Sequence, residues 1–284
     1  MEKIGLIIDS TVYLSETQIK DNDIAVVSLN VIDGETTYKE TDITSEFAYK
    51  RQDENARLTT SQPSPQEFLD AYQAMFDKGY EKLIVICLSK NISGTYQSAV
   101  LAVKMIDRKD DIYVFDTLQA AYGNEMIALE ALKLRSQELA FDALVEAVNL
   151  IISKSGLFFT VENLHSLQKG GRLSKVQAFV GTALRIKPII RMEDGKLNLW
   201  HKERTYIKVI DKMITTLLED GQGKGRLHVR IINKNSSESV ELLRSALQQN
   251  FADLELTEQD YLGPVFAIHV GKKGFGVSWF FEEK

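Results

Sequence analysis

The chain of 284 residues has an ordinary globular composition, with 44% hydrophobic and 26% charged residues, which excludes a disordered or fibrous protein. Its 34 basic and 40 acidic side chains give a net charge of −6, so the chain repels phosphate backbones and nucleic acid is not an expected partner. The single cysteine, Cys87, excludes an internal disulfide and a cysteine cluster that binds zinc or an iron–sulfur centre. No apolar run is long enough to span a bilayer or to act as a secretory signal, and we expect a soluble, cytoplasmic protein.

The first half of the chain alternates short apolar runs with segments of helical periodicity. This alternation predicts βαβ units and a parallel sheet with right-handed crossovers. The predicted strands cover residues 4–8, 24–31, 83–88 and 112–115, and the predicted helices cover residues 65–78, 96–107, 122–135 and 141–154.

Three residues mark the start of the helix at Pro65. Ser64 occupies the N-cap position, Pro65 the first helical position, and Glu67 completes a capping box. Thr60 and Ser61 are therefore predicted to lie in the loop before this helix. Free backbone N–H groups and the positive end of the helix dipole favour an anion there.

The pattern changes near residue 154 to mixed strands and helices, which predicts an α/β protein with two domains. We expect an N-terminal α/β domain with a parallel sheet in residues 1–154 and a C-terminal α+β domain in residues 155–284. The second half is predicted to contain strands at 157–161 and 227–232, helices at 176–184, 206–218 and 240–249, a hairpin turning at Asp194-Gly195, and a terminal hairpin over 266–281.

Several common chemistries lack their motifs in this chain. There is neither a GxxxxGK[ST] phosphate loop nor a GxGxxG motif after a strand, and the four histidines show no metal-ligand spacing. We therefore expect no built-in cofactor or metal. The remaining candidates are loops at the ends of predicted elements, where α/β sheets bind ligands.

Four such loops carry hydroxyl or basic side chains. They are Asp9-Ser10-Thr11, Thr60-Ser61-Gln62-Pro63, residues 89–95 with Ser93-Gly94 before a helix, and Lys169-Gly170-Gly171-Arg172-Leu173-Ser174. The first also fits a turn cap, and the last a helix C-cap with solvated charges. Ser93 also fits a hydrolase nucleophile, although the GxSxG pattern is missing. His269, in an apolar run, fits a core residue as well as a binding one.

Taken in order, these segments resemble the DegV family. The resemblance rests on Asp9-Ser10-Thr11, Thr60-Ser61-Gln62-Pro63-Ser64, Ser93-Gly94-Thr95-Tyr96-Gln97-Ser98-Ala99, Leu164 and Leu167 with Lys169-Gly170-Gly171-Arg172-Leu173-Ser174, Lys187-Pro188, and Gly263-Pro264 with His269-Val270-Gly271. The motifs cover nearly the whole chain. The chain departs from the family pattern at Lys272-Lys273, because a Pro-Gly pair commonly follows the His-Val-Gly motif in the family.

The resemblance implies a ligand tunnel between the two domains and one bound long-chain fatty acid, such as palmitate or oleate. The carboxylate-contacting Thr, Ser and His of the family fall on Thr60, Ser93 and His269. Ser61 and Gly94 are neighbours of the first two and are expected to donate further hydrogen bonds.

The resemblance also implies a partner protein. The chain is expected to be the fatty-acid-binding subunit of a bacterial fatty acid kinase, taking its ligand from a membrane surface and presenting the carboxylate to the ATP-dependent kinase. The acyl phosphate so formed feeds phospholipid synthesis, and the chain itself is not an enzyme. Arg172 is expected near the carboxyl end of the ligand or at the kinase surface. The alternative is an acyl esterase or thioesterase in which Ser93 and His269 react.

Overall fold

The computed structural model describes residues 2–162, 164–173 and 186–282. The strands in these ranges are β1 (Ile4–Asp9), β2 (Ala25–Val27), β3 (Asn30–Asp33), β4 (Thr36–Lys39), β5 (Thr59–Ser61), β6 (Lys82–Cys87), β7 (Ile112–Asp116), β8 (Ser155–Val161), β9 (Lys187–Glu193), β10 (Lys196–Glu203), β11 (Leu227–Lys234), β12 (Leu254–Gln259) and β13 (Gly274–Phe281). The helices are α1 (Glu16–Asp21), α2 (Ser45–Asp53), α3 (Pro65–Asp77), α4 (Thr95–Val103), α5 (Tyr122–Ser136), α6 (Phe141–Ser153), α7 (His165–Lys169), α8 (Tyr206–Asp220), α9 (Ser237–Asn250) and α10 (Pro264–Val270). None of these helices has the length and apolar character needed to cross a membrane.

Strands β2, β1, β6 and β7 form, in this order, a four-stranded parallel sheet. Its strands are almost continuously apolar because helices cover both faces. On one face Leu6 and Ile8 pack with α5 and α6, and on the other Ile7 and Val85 pack with α3 and α4. This arrangement confirms the α/β class predicted from the alternating pattern.

The second half of the chain forms a six-stranded sheet in the order β10, β9, β8, β13, β11, β12. Its strand pairs are antiparallel except β11 with β12. Side chains alternate along β8, so that Phe158 packs with α8 and α9 while Leu157 and Phe159 cluster with Tyr122 of the first half. The predicted hairpin at Asp194-Gly195 joins β9 to β10. The helix predicted at 176–184 lies outside the described residues.

A three-stranded sheet in the order β4, β3, β5 is absent from the predicted elements. The single strand predicted at 24–31 is wrong, because β2 joins the parallel sheet and β3 joins the small one. The break falls at Ser28, whose hydroxyl donates to the Leu29 carbonyl at 2.9 Å. Thr60 and Ser61 lie on β5 of the small sheet and not in a loop, although the predicted capping box of α3 is present.

The predicted terminal hairpin is also wrong, because the residues before β13 form helix α10. This helix begins at Pro264, which suits the first helical turn, and ends where Gly271 adopts a positive φ of 91°. A short apolar run carries no periodicity that separates a buried strand from a buried helix. His269 is consequently a helical residue. The domain boundary at residue 154 stays a prediction, and it falls at the turn between α6 and β8.

Candidate functional site

Two predicted site residues from distant parts of the chain are in direct contact. Thr60 on β5 and His269 on α10 share a hydrogen bond of 2.8 Å between Oγ1 and Nε2. Burial of the imidazole and, secondly, the cation of Arg172 lower the pKa of His269 from 6.5 to about 4. The ring is therefore neutral at pH 7, with one nitrogen that donates and one that accepts a hydrogen bond.

Arg172 follows the glycines of the KGGR loop, and its side chain is turned inward. Its Nη1 donates to the Gly170 carbonyl at 2.5 Å and its Nε to the Ile92 carbonyl at 3.4 Å. Burial lowers the pKa of Arg172, but a guanidinium remains charged at neutral pH. The loop therefore supplies a half-buried cation next to His269.

Gly170 is packed directly against the imidazole. A Cβ atom at this position would lie 2.4 Å from Nδ1 of His269, which is closer than any real contact. The φ of Gly170 is −73°, so the requirement for glycine is steric and not conformational. The sequence shows the KGGR motif but not this contact, because Gly170 and His269 are far apart in the chain.

Ser93 and Gly94 lie where β6 leads into α4. Gly94 is the N-cap residue of α4, while the Ser93 hydroxyl is 2.9 Å from Thr95 Oγ1 and accepts from the Thr95 N–H at 3.3 Å. A Cβ atom at Gly94 would lie 2.9 Å from the side chain of Gln62. This glycine therefore makes room for Gln62, whose place in the site no sequence motif marks.

The predicted residues line one side of a cavity of about 40 Å³, the polar cavity, whose other side is apolar. Of the six residues predicted to bind the ligand, all but Gly94 line this cavity. Gly94 lies behind the side chain of Gln62. The cavity is lined by Thr60, Ser61, Gln62, Ser93, Arg172 and His269, together with the apolar residues Leu29, Leu88, Ile92, Leu167, Leu197, Val265, Phe266 and Val270.

An apolar cavity of about 60 Å³ adjoins the polar one along the six-stranded sheet. Its walls come from the segment before α5, from the inner face of the six-stranded sheet and from α10. Both cavities are lined by Leu197, Phe266 and Val270. An anion-suited pocket is thus joined to an apolar one through shared side chains.

A basic groove of about 690 Å³ lies on the other side of the polar cavity. The groove shares Thr60, Arg172 and His269 with that cavity and is also lined by the exposed side chains of Arg57 and Lys169. The Thr60–His269 pair therefore stands between the apolar interior and a positively charged surface.

The Asp9-Ser10-Thr11 loop has the structural role that the sequence left open. Asp9 is fully buried and accepts from the N–H groups of Thr11 at 2.9 Å and Leu88 at 2.7 Å. Burial raises the pKa of Asp9 to about 6. Because these bonds occupy the carboxylate, Asp9 caps a turn and ties β1 to the end of β6.

Nearly the whole chain matches one family. A protein-family model, described as an uncharacterised protein of the DegV family, matches residues 3–282. A DegV domain-containing protein of Listeria innocua is 32% identical over 281 residues, which cover 98% of each chain.

Solved structures share the architecture. A DegV family protein of Thermus thermophilus, described by its fatty acid binding, has a TM-score of 0.87 at 26% identity over 98% of this chain and 99% of that one. DegV of Bacillus subtilis, described as a fatty acid binding protein, has a TM-score of 0.84 at 28% identity over 99% and 100%.

The fold and the site define a class of two-domain α/β proteins in which an anion-suited pocket adjoins an apolar cavity. The match over almost the full length makes the family assignment specific. The chain belongs to the DegV family.

Proposed function

We propose that this chain binds one long-chain fatty acid, with its carboxylate at Thr60, Ser93 and His269 and its tail in the apolar cavity. Ser61 and Arg172 complete the polar end, with Gly94 behind them. The observation that carries the proposal is the junction of the polar and apolar cavities through three shared side chains. The Thermus and Bacillus relatives, which are described as fatty-acid-binding, support the same ligand class.

The polar end suits a carboxylate because a buried carboxylate must be hydrogen-bonded. The Ser93 hydroxyl donates to the carboxylate. The Nε2–H of the neutral His269 ring donates to Thr60 Oγ1, which leaves the Thr60 hydroxyl proton for the carboxylate. The guanidinium of Arg172 offsets the charge. A tail of about 14 methylenes at about 0.8 kcal/mol each contributes on the order of 11 kcal/mol before ordering costs. Head and tail together support tight retention of one lipid.

The tail path is narrow. The two cavities measure about 60 Å³ and 40 Å³, whereas small-molecule sites commonly offer roughly 300 Å³ or more. Entry of an acyl chain therefore requires side chains at the junction to move aside. Leu197 and Phe266 lie at that point, and we propose that they rotate as palmitate or oleate enters.

We further propose that the carboxylate is presented through the basic groove to a partner ATP-dependent fatty acid kinase. The groove borders the same residues that hold the carboxylate, and Arg57 and Lys169 give it a charge that suits an acidic partner surface. In this scheme the cytoplasmic chain loads at a membrane surface. The kinase supplies catalysis, and the acyl phosphate enters phospholipid synthesis.

The test is a coupled assay with the kinase of the same organism, ATP and oleate. The wild-type chain is expected to support acyl-phosphate formation, and the double variant Thr60→Val with Ser93→Ala is expected to lose it while keeping a native circular dichroism spectrum. An unchanged rate in the double variant would contradict the assignment of the site. ATP hydrolysis by the isolated chain would contradict the division of labour with the kinase.

The hydrolytic alternative gains no support from the geometry. An activated serine is hydrogen-bonded to its base, but the Ser93 hydroxyl bonds to Thr95 and the His269 ring bonds to Thr60. Turnover of an acyl ester that disappears in Ser93→Ala would nevertheless establish it.

A further inference from the structure

Glu40 is a buried carboxylate that the fatty acid site does not use. It follows β4 in a short 3-10 turn and is 3% exposed. Its Oε1 accepts from the Val265 N–H and from the Tyr13 hydroxyl, each at 3.3 Å. The Ser10 hydroxyl donates to its Oε2. A buried carboxylate is stabilised by such donors, which also fix its position.

The bond to Val265 ties Glu40 to the helix that carries His269. Val265 lies in the first turn of α10, and His269 follows four residues later on the same helical face. The other end of α10 is held separately, because the Tyr49 hydroxyl donates to the Gly271 carbonyl at 3.0 Å. Glu40 is thus the anchor of the N-terminal end.

Glu40 is tied equally to the sheet that carries Thr60. Its N–H donates to the Leu29 carbonyl at 2.8 Å, and it directly follows β4. Strand β4 pairs with β3, and β3 pairs with β5, where Val31 lies opposite Thr60. Both partners of the Thr60–His269 hydrogen bond are therefore connected through Glu40.

The chain approaches Glu40 closely at the start of α10. A Cβ atom at Gly263 would lie 2.8 Å from Oε1 of Glu40 and 2.5 Å from the ring of Tyr13. The φ of Gly263 is −59°, so glycine is needed here for space and not for backbone freedom. The close approach lets Glu40 reach the Val265 N–H.

We propose that Glu40 is a positioning residue that holds α10 at the distance from β5 at which His269 bonds Thr60. Its effect on ligand affinity rests on the fatty acid function proposed above, but its effect on His269 does not. Loss of the negative charge of Glu40 could by itself only lower the pKa of His269, because a nearby anion favours the imidazolium. A rise in the pKa of His269 in a Glu40 variant therefore reports a movement of the helix that admits water to the ring.

The experiment compares Glu40→Ala with Glu40→Gln, which keeps an acceptor for Val265 and can donate to Ser10. The matched control is Glu125→Ala, another buried glutamate, 4% exposed, whose Oε2 lies 3.0 Å from Nε of Arg230. The readouts are the pKa of His269 from NMR titration of the histidine rings, assigned with His269→Ala, and the Kd for oleate.

In Glu40→Ala the pKa of His269 is expected to rise by about one unit or more as water reaches the ring. The Kd for oleate is expected to rise about tenfold. Glu40→Gln is expected to restore both values, and Glu125→Ala to change neither. Should Glu40→Ala fail to fold, Gly263→Ala, whose Cβ crowds both the Tyr13 ring and Oε1 of Glu40 while the carboxyl group is kept, is expected to give the same rise.

An unchanged pKa of His269 in Glu40→Ala would overturn the proposal, as would an equal shift in Glu125→Ala, because general loosening would then explain both. The titration is done without fatty acid. A wild-type chain that fails to bind oleate would therefore refute the proposed function while the role of Glu40 is still decided by the pKa of His269.

Discussion

Acidification is expected to destabilise the chain through His269. The pKa of this residue is about 4 in the fold, against an ordinary value of 6.5. As the pH falls below 6.5 the unfolded chain takes up a proton that the folded chain does not yet bind. The stability contributed by the neutral, buried ring is therefore complete above pH 6.5 and is lost as the pH falls toward 4. Between pH 7 and pH 5 these two pKa values give a loss of about 2 kcal/mol.

The measurement is urea unfolding of the wild type and of His269→Gln at pH 7, 6 and 5. Burial raises the pKa values of Asp9 to about 6 and of Glu40 and Glu125 to about 7, so these carboxyls stabilise the fold at low pH and lose that contribution as the pH rises. Only the difference between the two proteins is therefore interpreted. The wild-type free energy of unfolding is expected to fall by about 2 kcal/mol more than that of the variant between pH 7 and pH 5. Parallel curves would refute the account of the buried imidazole.

Three further predictions concern the ligand. The double variant Thr60→Val with Ser93→Ala removes two hydrogen-bond donors, each worth about 1.5–3 kcal/mol to a charged group, and is expected to raise the Kd for oleate by roughly 100-fold or more. Equal affinities of the variant and the wild type in isothermal titration would contradict the carboxylate site. Gly170→Ala places a methyl group 2.4 Å from Nδ1 of His269 and is expected to raise the Kd for oleate about tenfold. The control is Gln168→Ala, at an exposed position of α7, which is expected to bind oleate with wild-type affinity. Ala120→Leu narrows the apolar cavity of about 60 Å³ and is expected to raise the Kd for palmitate much more than the Kd for octanoate. An equal rise in both Kd values would place the acyl tail elsewhere.

The parallel sheet could be predicted because its strands and helices are marked locally. The apolar runs around Ile7 and Val85, buried on both faces, have no polar alternation, and the capping box at Ser64 fixes the start of α3 from residues that lie close together in the sequence. Where such local signals stop, the predictions failed. The run around Val31 is divided between two sheets, and the run containing His269 forms a helix, because contacts with distant segments decide between equally compatible local structures.

The candidate site shows the same limit. The motifs identify Thr60 and His269 as site residues. Their hydrogen bond joins residues 209 positions apart, and no local sequence pattern reveals such a contact. Gly170 was visible only as part of the KGGR loop. Glu40 was not visible at all, because an acidic residue in a polar segment is ordinarily solvated and its burial comes from packing against α10.

The central claim is that the chain retains one fatty acid with its carboxylate at the Thr60–His269 pair. Native mass spectrometry of the protein purified from a bacterial host, followed by organic extraction, measures this occupancy. We expect a single added mass that matches one long-chain fatty acid in the wild type and a much lower occupancy in Thr60→Val with Ser93→Ala. A wild-type chain of unmodified mass that also takes up neither added oleate nor added palmitate would contradict the claim.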